Sequence, residues 1–224
     1  MNDDQAVRLV QQKLKDLGLY SGLVDGAWGR GSQAGFDALV AGYLGADGGK
    51  YDIAWSAKVS PAFVARVKQM ADQLGMPEGG ADALMACMAF ETGRTFSPSI
   101  QNGAGQNYFG LIQFGEAAAK DCGTTVSALV KMTAEEQLEY VYKFFKPYAG
   151  KLFNLGDTYL RILWPKAVGK PDDYVLWDSS TRQYAPNKGL DVDKDGNITK
   201  REAASKVQEQ LTLGLKPENR RKLS

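Results

Sequence analysis

The run Leu84-Met85-Ala86-Cys87-Met88-Ala89-Phe90 is apolar at every position and closes on Glu91. Residues 81–91 predict a helix with almost no polar face, and such a helix has to be buried on most sides. It needs other helices around it, and the chain supplies them. Ser60-Pro61 opens a helix that carries Phe63, Val64, Val67, Met70, Ala71 and Leu74 at 3–4 spacing as far as Gly75. Helical patterns recur near 115–121, 125–131, 134–148, 157–164 and 199–213. Alternating patterns are scarce, the best strand candidate being Tyr108-Phe109-Gly110-Leu111-Ile112-Gln113. The expected fold class is mainly α.

The first fifty residues have a different character. Val7, Val10, Leu14 and Leu17 fall on one helical face and Arg8, Gln11, Lys13 and Asp16 on the other, with Gly18 as the stop. Asp25-Gly26 suits a turn with positive φ, and Ser32 can cap a second helix carrying Phe36, Leu39, Val40 and Tyr43. Trp28 is the expected anchor of this small core. Glycines at 42, 45, 48 and 49 then break the pattern. The expected organisation is a small module over 1–48, a linker over 49–54 and a larger helical domain over 55–224.

Several function classes are excluded by composition. The 224-residue chain has no histidine, which removes Ser-His and Cys-His catalysis and nearly all zinc chemistry. Its 27 basic and 26 acidic side chains lack the basic excess of a nucleic-acid binder. Cys87 and Cys122 are too few for a disulfide framework, and Cys87 reads as a buried thiol. No apolar run approaches the ~18 residues that span a bilayer, so no stable membrane insertion is expected. The start, Met1-Asn2-Asp3-Asp4, shows no secretory signal.

A catalyst in this chain must then use carboxylates, Lys, Tyr or a hard cation. Glu91 stands out because its carboxyl is carried on the edge of an apolar helix, where desolvation favours the protonated acid. A glutamic acid neutral near pH 7 can protonate a leaving glycosidic oxygen. Beyond it come Thr92-Gly93-Arg94-Thr95-Phe96-Ser97-Pro98, Asn102-Gly103-Ala104-Gly105 and Asn107-Tyr108-Phe109-Gly110-Leu111-Ile112-Gln113-Phe114. In order and spacing, residues 91–114 resemble the soluble lytic transglycosylases, a family of lysozyme-like domains. Thr92 replaces the family's usual Ser, and Ile112 its Met.

The resemblance implies a lysozyme-like α domain with minor β, cleaving the β-1,4 bond between N-acetylmuramic acid and N-acetylglucosamine of peptidoglycan. It implies Glu91 as the acid/base, Gln113 in the saccharide groove and Tyr108 nearby, with Ser97 and Asn102 as further groove candidates. The family's later Tyr-Asn pair is not matched in Leu160–Gly169; Tyr159 or Tyr174 is the candidate replacement. Glycoside hydrolysis normally takes two carboxylates. Ile100 stands where T-even phage lysozymes carry an Asp, and no acid lies between Glu91 and Glu116. One glutamate suffices when the muramic 6-hydroxyl attacks its own C1 to give a 1,6-anhydro product. The alternatives are a hydrolytic muramidase with a distant second acid, and a non-catalytic wall-binding protein.

Val7-x-x-Val10-Gln11-x-x-Leu14-x-x-Leu17-Gly18, Tyr20-x-Gly22-x-Val24-Asp25-Gly26 and Trp28-Gly29-x-x-Ser32 resemble the peptidoglycan-binding domains at the ends of cell-wall enzymes. The resemblance implies a small three-helix-type module for 1–48. Together the two likenesses imply a phage endolysin that acts on bacterial peptidoglycan to lyse the host. The expected form is a monomer made in the host cytoplasm without a signal peptide and admitted to the wall by a holin-type route.

Asp191-Val-Asp193-Lys-Asp195-Gly196-Asn197-Ile198-Thr199-Lys-Arg-Glu202 fits the twelve-residue EF-hand loop. Asp191, Asp193, Asp195 and Glu202 would give carboxylate oxygens to calcium, Asn197 its carbonyl, and Thr199 an oxygen directly or through water. No entering helix is evident, an exiting one is, and the expected role is a structural brace. The basic residues between Lys216 and Lys222 read as a solvated tail.

Overall fold

The computed structural model describes residues 3–44, 50–103 and 105–223. They form two compact units, one running to Tyr51 and taking in Lys222 and Leu223, the other Asp52–Arg221. The expected breaks at Gly45, Gly48 and Gly49 lie outside the described residues. Of the expected linker, residues 52–54 belong to the larger unit, where Ala54 is fully buried and Asp52 pairs with Lys68 at 2.6 Å.

The small unit has two helices among its described residues rather than three: α1 (Asp3–Asp16) and α2 (Arg30–Leu44). Gly18, at φ 69°, ends α1 as the pattern requires. The expected faces of α1 need correction, because Gln11 is fully buried beside Leu14. Its amide Nε2 donates to Asp25 Oδ1 (2.9 Å), the Ala27 carbonyl (2.9 Å) and Ser32 Oγ (3.0 Å), and its Oε1 accepts from Gly26 N–H (2.9 Å). A buried amide survives when every donor and acceptor is paired, and this one ties the 25–27 turn to both helices. Ser32 is therefore a buried partner inside α2 and not its cap. Trp28 is 42% exposed and packs edge-on against Phe36 at 5.7 Å, on the surface and not in the core. The side chains of Val40 and Tyr43 lie outside the described residues.

The larger unit is mainly helical. The expected apolar helix is α4 (Gly80–Glu91), buried continuously from Ala83 to Ala89. It is enclosed by α3 (Pro61–Gln73), α8 (Leu155–Leu163) and α10 (Lys200–Gly214). Ser60 Oγ caps α3 by accepting from Phe63 N–H (3.1 Å), with Pro61 at the first helical position. Between α4 and α8 lie α5 (Glu116–Asp121), α6 (Val126–Leu129) and α7 (Ala134–Phe145), the last opened by a Thr133–Glu136 capping box.

Residues 108–113 are not a strand. Gly110 (φ 80°) and Gln113 (φ 53°) are left-handed, so the segment folds into a tight turn with Gln113 N–H donating to the Gly110 carbonyl (3.1 Å). The sheet lies elsewhere: β1 (Val175–Asp178) pairs antiparallel with β2 (Asn197–Thr199). The C-terminal basic segment is solvated only in part: Lys216 and Lys222 are exposed, but the two arginines are tied to the larger unit. Arg220 Nε donates to the Asp52 carbonyl (2.6 Å) and Arg221 Nη2 to the Val59 carbonyl (2.6 Å). No helix of the described residues is long and apolar enough to cross a membrane.

Candidate active site

Glu91 is the last residue of α4 and is half-buried. Among the described residues its carboxyl has no hydrogen-bond or ion-pair partner, and desolvation alone pushes its pKa from 4.5 to about 8. With no cation nearby to hold the charge, the resting form at neutral pH is the acid.

The chain behind Glu91 is tightly constrained. Thr92 is fully buried; its hydroxyl donates to the Met88 carbonyl (2.7 Å) and accepts from Phe96 N–H (3.0 Å). Gly93, Arg94 and Phe96 all have positive φ (56°, 71°, 51°), and for Arg and Phe that conformation carries strain. Phe96 is held in it by packing on Phe63 (6.0 Å) and Trp55 (6.5 Å), and Arg94 Nε by Gln210 Oε1 (2.8 Å) on α10.

Tyr159, on α8, is buried and meets Phe90 edge-on at 5.5 Å. Burial raises its phenol well above the usual range, and the nearby Glu91 charge raises it further. Of the two tyrosines weighed from sequence, this one lies beside Glu91. Tyr174 does not join the group; it precedes β1, with the Lys170 ammonium 5.7 Å from its ring.

Gln113 and Tyr108 line an open hollow of about 400 Å³ with Phe114, Glu116, Phe144 and Ile162. Glu91 is not in that lining. The link is α8, which places Tyr159 beside Glu91 and Ile162 in the hollow. Gln113 Nε2 contacts the Gly110 carbonyl (3.2 Å), while its Oε1 is buried without a partner. An orphaned buried acceptor on a left-handed residue is a costly arrangement that a ligand's N–H would satisfy. Ser97 and Asn102 do not line the hollow. Ser97 Oγ lies 3.3 Å from Ser99 Oγ, and Asn102 N–H donates to the Tyr108 carbonyl (2.9 Å).

Gln137 escaped the sequence reading. This fully buried α7 residue accepts from Leu111 N–H at Oε1 (2.7 Å) and donates through Nε2 to the carbonyls of Pro98 (2.9 Å) and Leu129 (3.1 Å). It thereby joins the 98 segment to the turn that presents Gln113. A Cβ on Gly110 would stand 2.3 Å from Gln137 Oε1, so this close approach needs glycine. A glutamine with helix-surface neighbours such as Glu135, Glu136 and Glu139 reads as solvated, and no local signal betrays its partners at 98 and 111.

The acidic loop lies apart from the hollow. The short helix α9 (Tyr184–Asn187) and a 3-10 turn over Lys188–Leu190 lead into it, and α10 leaves it. Oxygens of Asp191, Asp193 and Asp195 lie within 4.8 Å of one another. Asp191 is 8% exposed; its Oδ2 accepts from the Tyr184 hydroxyl and from Gly196 N–H (3.2 Å), while its Oδ1 is buried with no partner. Lys194 and Gly196 have positive φ (62°, 88°). An all-oxygen donor set with one unsatisfied buried carboxylate oxygen fits a hard divalent cation. Glu202 is not in that cluster: its Oε2 closes a capping box with Thr199, and its Oε1 accepts from Val192 N–H (3.0 Å). Asn197 and Thr199 form β2.

Set against models of known protein families, curated proteins and solved structures, the chain matches none of them.

Proposed function

We propose that the larger unit cuts glycan strands of bacterial peptidoglycan between N-acetylmuramic acid and N-acetylglucosamine, as a lysozyme-like lytic transglycosylase of endolysin type. The observation that carries this reading is Glu91: an unpaired carboxyl that closes the apolar run Ala83–Phe90 of α4, with a pKa of about 8. Glu91 gives its proton to the bridging oxygen as the C1–O bond breaks, and the resulting carboxylate then takes the proton of the muramic 6-hydroxyl as that oxygen bonds to C1. One residue is acid and then base, the glycan supplies the nucleophile, and the product is a 1,6-anhydro end. Gln113 Oε1 accepts an N-acetyl N–H, Tyr108 lies along the sugar, and Tyr159 walls Glu91 from water.

The small unit is proposed as the wall anchor. In the 191–202 loop a calcium ion would be held by Asp191, Asp193 and Asp195 with the Asn197 carbonyl, and its charge would relieve the repulsion among those carboxylates; Glu202 and Thr199 join only if the capping box opens.

Glu91→Gln tested on chloroform-permeabilised Gram-negative cells decides the assignment. Wild-type protein should clear the suspension and the variant should not; equal clearing by both removes Glu91 from the chemistry.

A further inference from the structure

The face that Tyr159 presents to Glu91 depends on where α8 lies, and α8 is held at its first turn by a residue of the acidic loop and just past its last by a residue of β1, the strand that pairs with the loop. At its first turn, Asp157 is 2% exposed and Lys200 1%. Lys200 Nζ donates to Asp157 Oδ1 and to the Lys170 carbonyl (2.7 Å), and the same Oδ1 accepts from Gly169 N–H (2.8 Å). Lys200 sits inside the twelve-residue loop, between Thr199 and Glu202. At the other end of α8, Trp164 meets Trp177 edge-on at 5.4 Å. Trp177 belongs to β1 and pairs with Ile198 of β2, again inside the loop. Residues 198–200 therefore reach α8 twice, through a buried ion pair and through an aromatic pair, and Tyr159 lies between the two grips.

A buried Lys–Asp pair is a poor way to gain stability, since desolvating both charges cancels most of their attraction. It does fix geometry, because neither charge can move without losing its partner. The loop carries its own sign of a ligand in the partnerless Asp191 Oδ1, 92% of that residue being buried. Closing Asp191, Asp193 and Asp195 onto one cation would act on a backbone that is continuous with Ile198 and Lys200.

We propose that Lys200 and Asp157 are positioning residues, through which a divalent cation in the 191–202 loop sets Tyr159 and α8 against Glu91. The inference rests on the glycan-cleaving reading of Glu91 and on the loop as a cation site. A displacement of about 1 Å at a reacting group costs on the order of 10²-fold in rate, so a modest shift of α8 is enough to matter.

The test uses the full chain stripped with EGTA and then titrated with CaCl2. Solubilised peptidoglycan gives kcat and KM, tryptophan emission reports the 164/177 pair, and Tb³⁺ luminescence measures cation binding. Trp177 Nε1 is buried without a partner, so its emission responds to any polar group brought near. In the wild type, calcium should raise kcat by at least about tenfold with KM little changed, and should shift the emission. The volume-conserving double variant Lys200→Met/Asp157→Leu should bind Tb³⁺ as the wild type does, yet show a low kcat that calcium does not raise. Lys200→Arg should restore part of the response. Binding without any change in wild-type kcat or emission overturns the proposal alone, and that arm needs no variant to fold. Absence of Tb³⁺ binding overturns the loop reading, and absence of cleavage by calcium-loaded wild type overturns the Glu91 reading; either outcome takes the proposal with it.

Discussion

Replacing Glu91 by Gln should destroy activity and, at alkaline pH, strengthen the fold. Below about pH 4.5 both the folded and the unfolded chain hold the Glu91 proton. Between 4.5 and about 8 the folded chain keeps a proton that the unfolded chain releases, so stability falls as pH rises through this window and levels off above it. At 1.36 kcal/mol per pH unit the full shift corresponds to about 5 kcal/mol. Glu91 is only half-buried, and solvent screening reduces this to about 2 kcal/mol. Glutamine has the same shape and no proton to lose, so the variant escapes the penalty. For a unit of this size, about 2 kcal/mol is a rise of roughly 4–8 °C in Tm. Calorimetry of both proteins at pH 4, 7 and 9 checks this: the curves should meet at pH 4 and diverge upward in pH, with Glu91→Gln the more stable. Parallel Tm–pH curves would show that the carboxyl is not desolvated, and the argument for a neutral acid would fail.

Four further outcomes follow from the same geometry. Gln137→Leu should cost about 3 kcal/mol, because it strands the Leu111 N–H and two carbonyls at about 1–3 kcal/mol each, and chemical denaturation measures this directly. Gln113→Ala should raise KM on solubilised glycan more than it lowers kcat, since it removes a binding acceptor and leaves Glu91 in place. Gln11→Leu leaves the Gly26 N–H and the Ala27 carbonyl unpaired, and should lower the melting of the small unit while cleavage of solubilised glycan is unchanged. Chelation from calcium at 100 times its Kd should remove about 2.7 kcal/mol of stability, seen as a lower Tm in EGTA.

Helix α4 was legible because a run without polar positions leaves a chain few places to put it, and it begins and ends within a residue of the expected 81–91. The glutamate at its end was legible for the same reason. What escaped were polar side chains with distant partners. By residue type Gln11 belongs to the polar face, yet four residues after Val7 and three before Leu14 it lies on the inward face of α1, where Asp25, Ala27 and Ser32 pair its amide. Gln137 is hidden in the same way. Gln113 lies in a stretch whose residues favour a strand, but the positive φ angles at Gly110 and Gln113 turn it, and tertiary bonds to Ile100 and Phe114 impose that turn. Trp28 misled because a tryptophan in a tiny module suggests a core, whereas this one shows its face to solvent. In the acidic loop the grouping of Asp191, Asp193 and Asp195 was legible, whereas the capping box that takes Thr199 and Glu202 out of that cluster was not; nor was Lys200, which joins the loop to α8, because no sequence pattern announces an ion pair between positions 157 and 200.

The most direct trial is mass spectrometry of purified sacculi after digestion with the intact protein. A proton relayed by a single carboxyl, with the sugar as its own nucleophile, leaves muramyl ends one water lighter than reducing ends. Reducing ends from the same digestion, or anhydro ends that persist with Glu91→Gln, would contradict it.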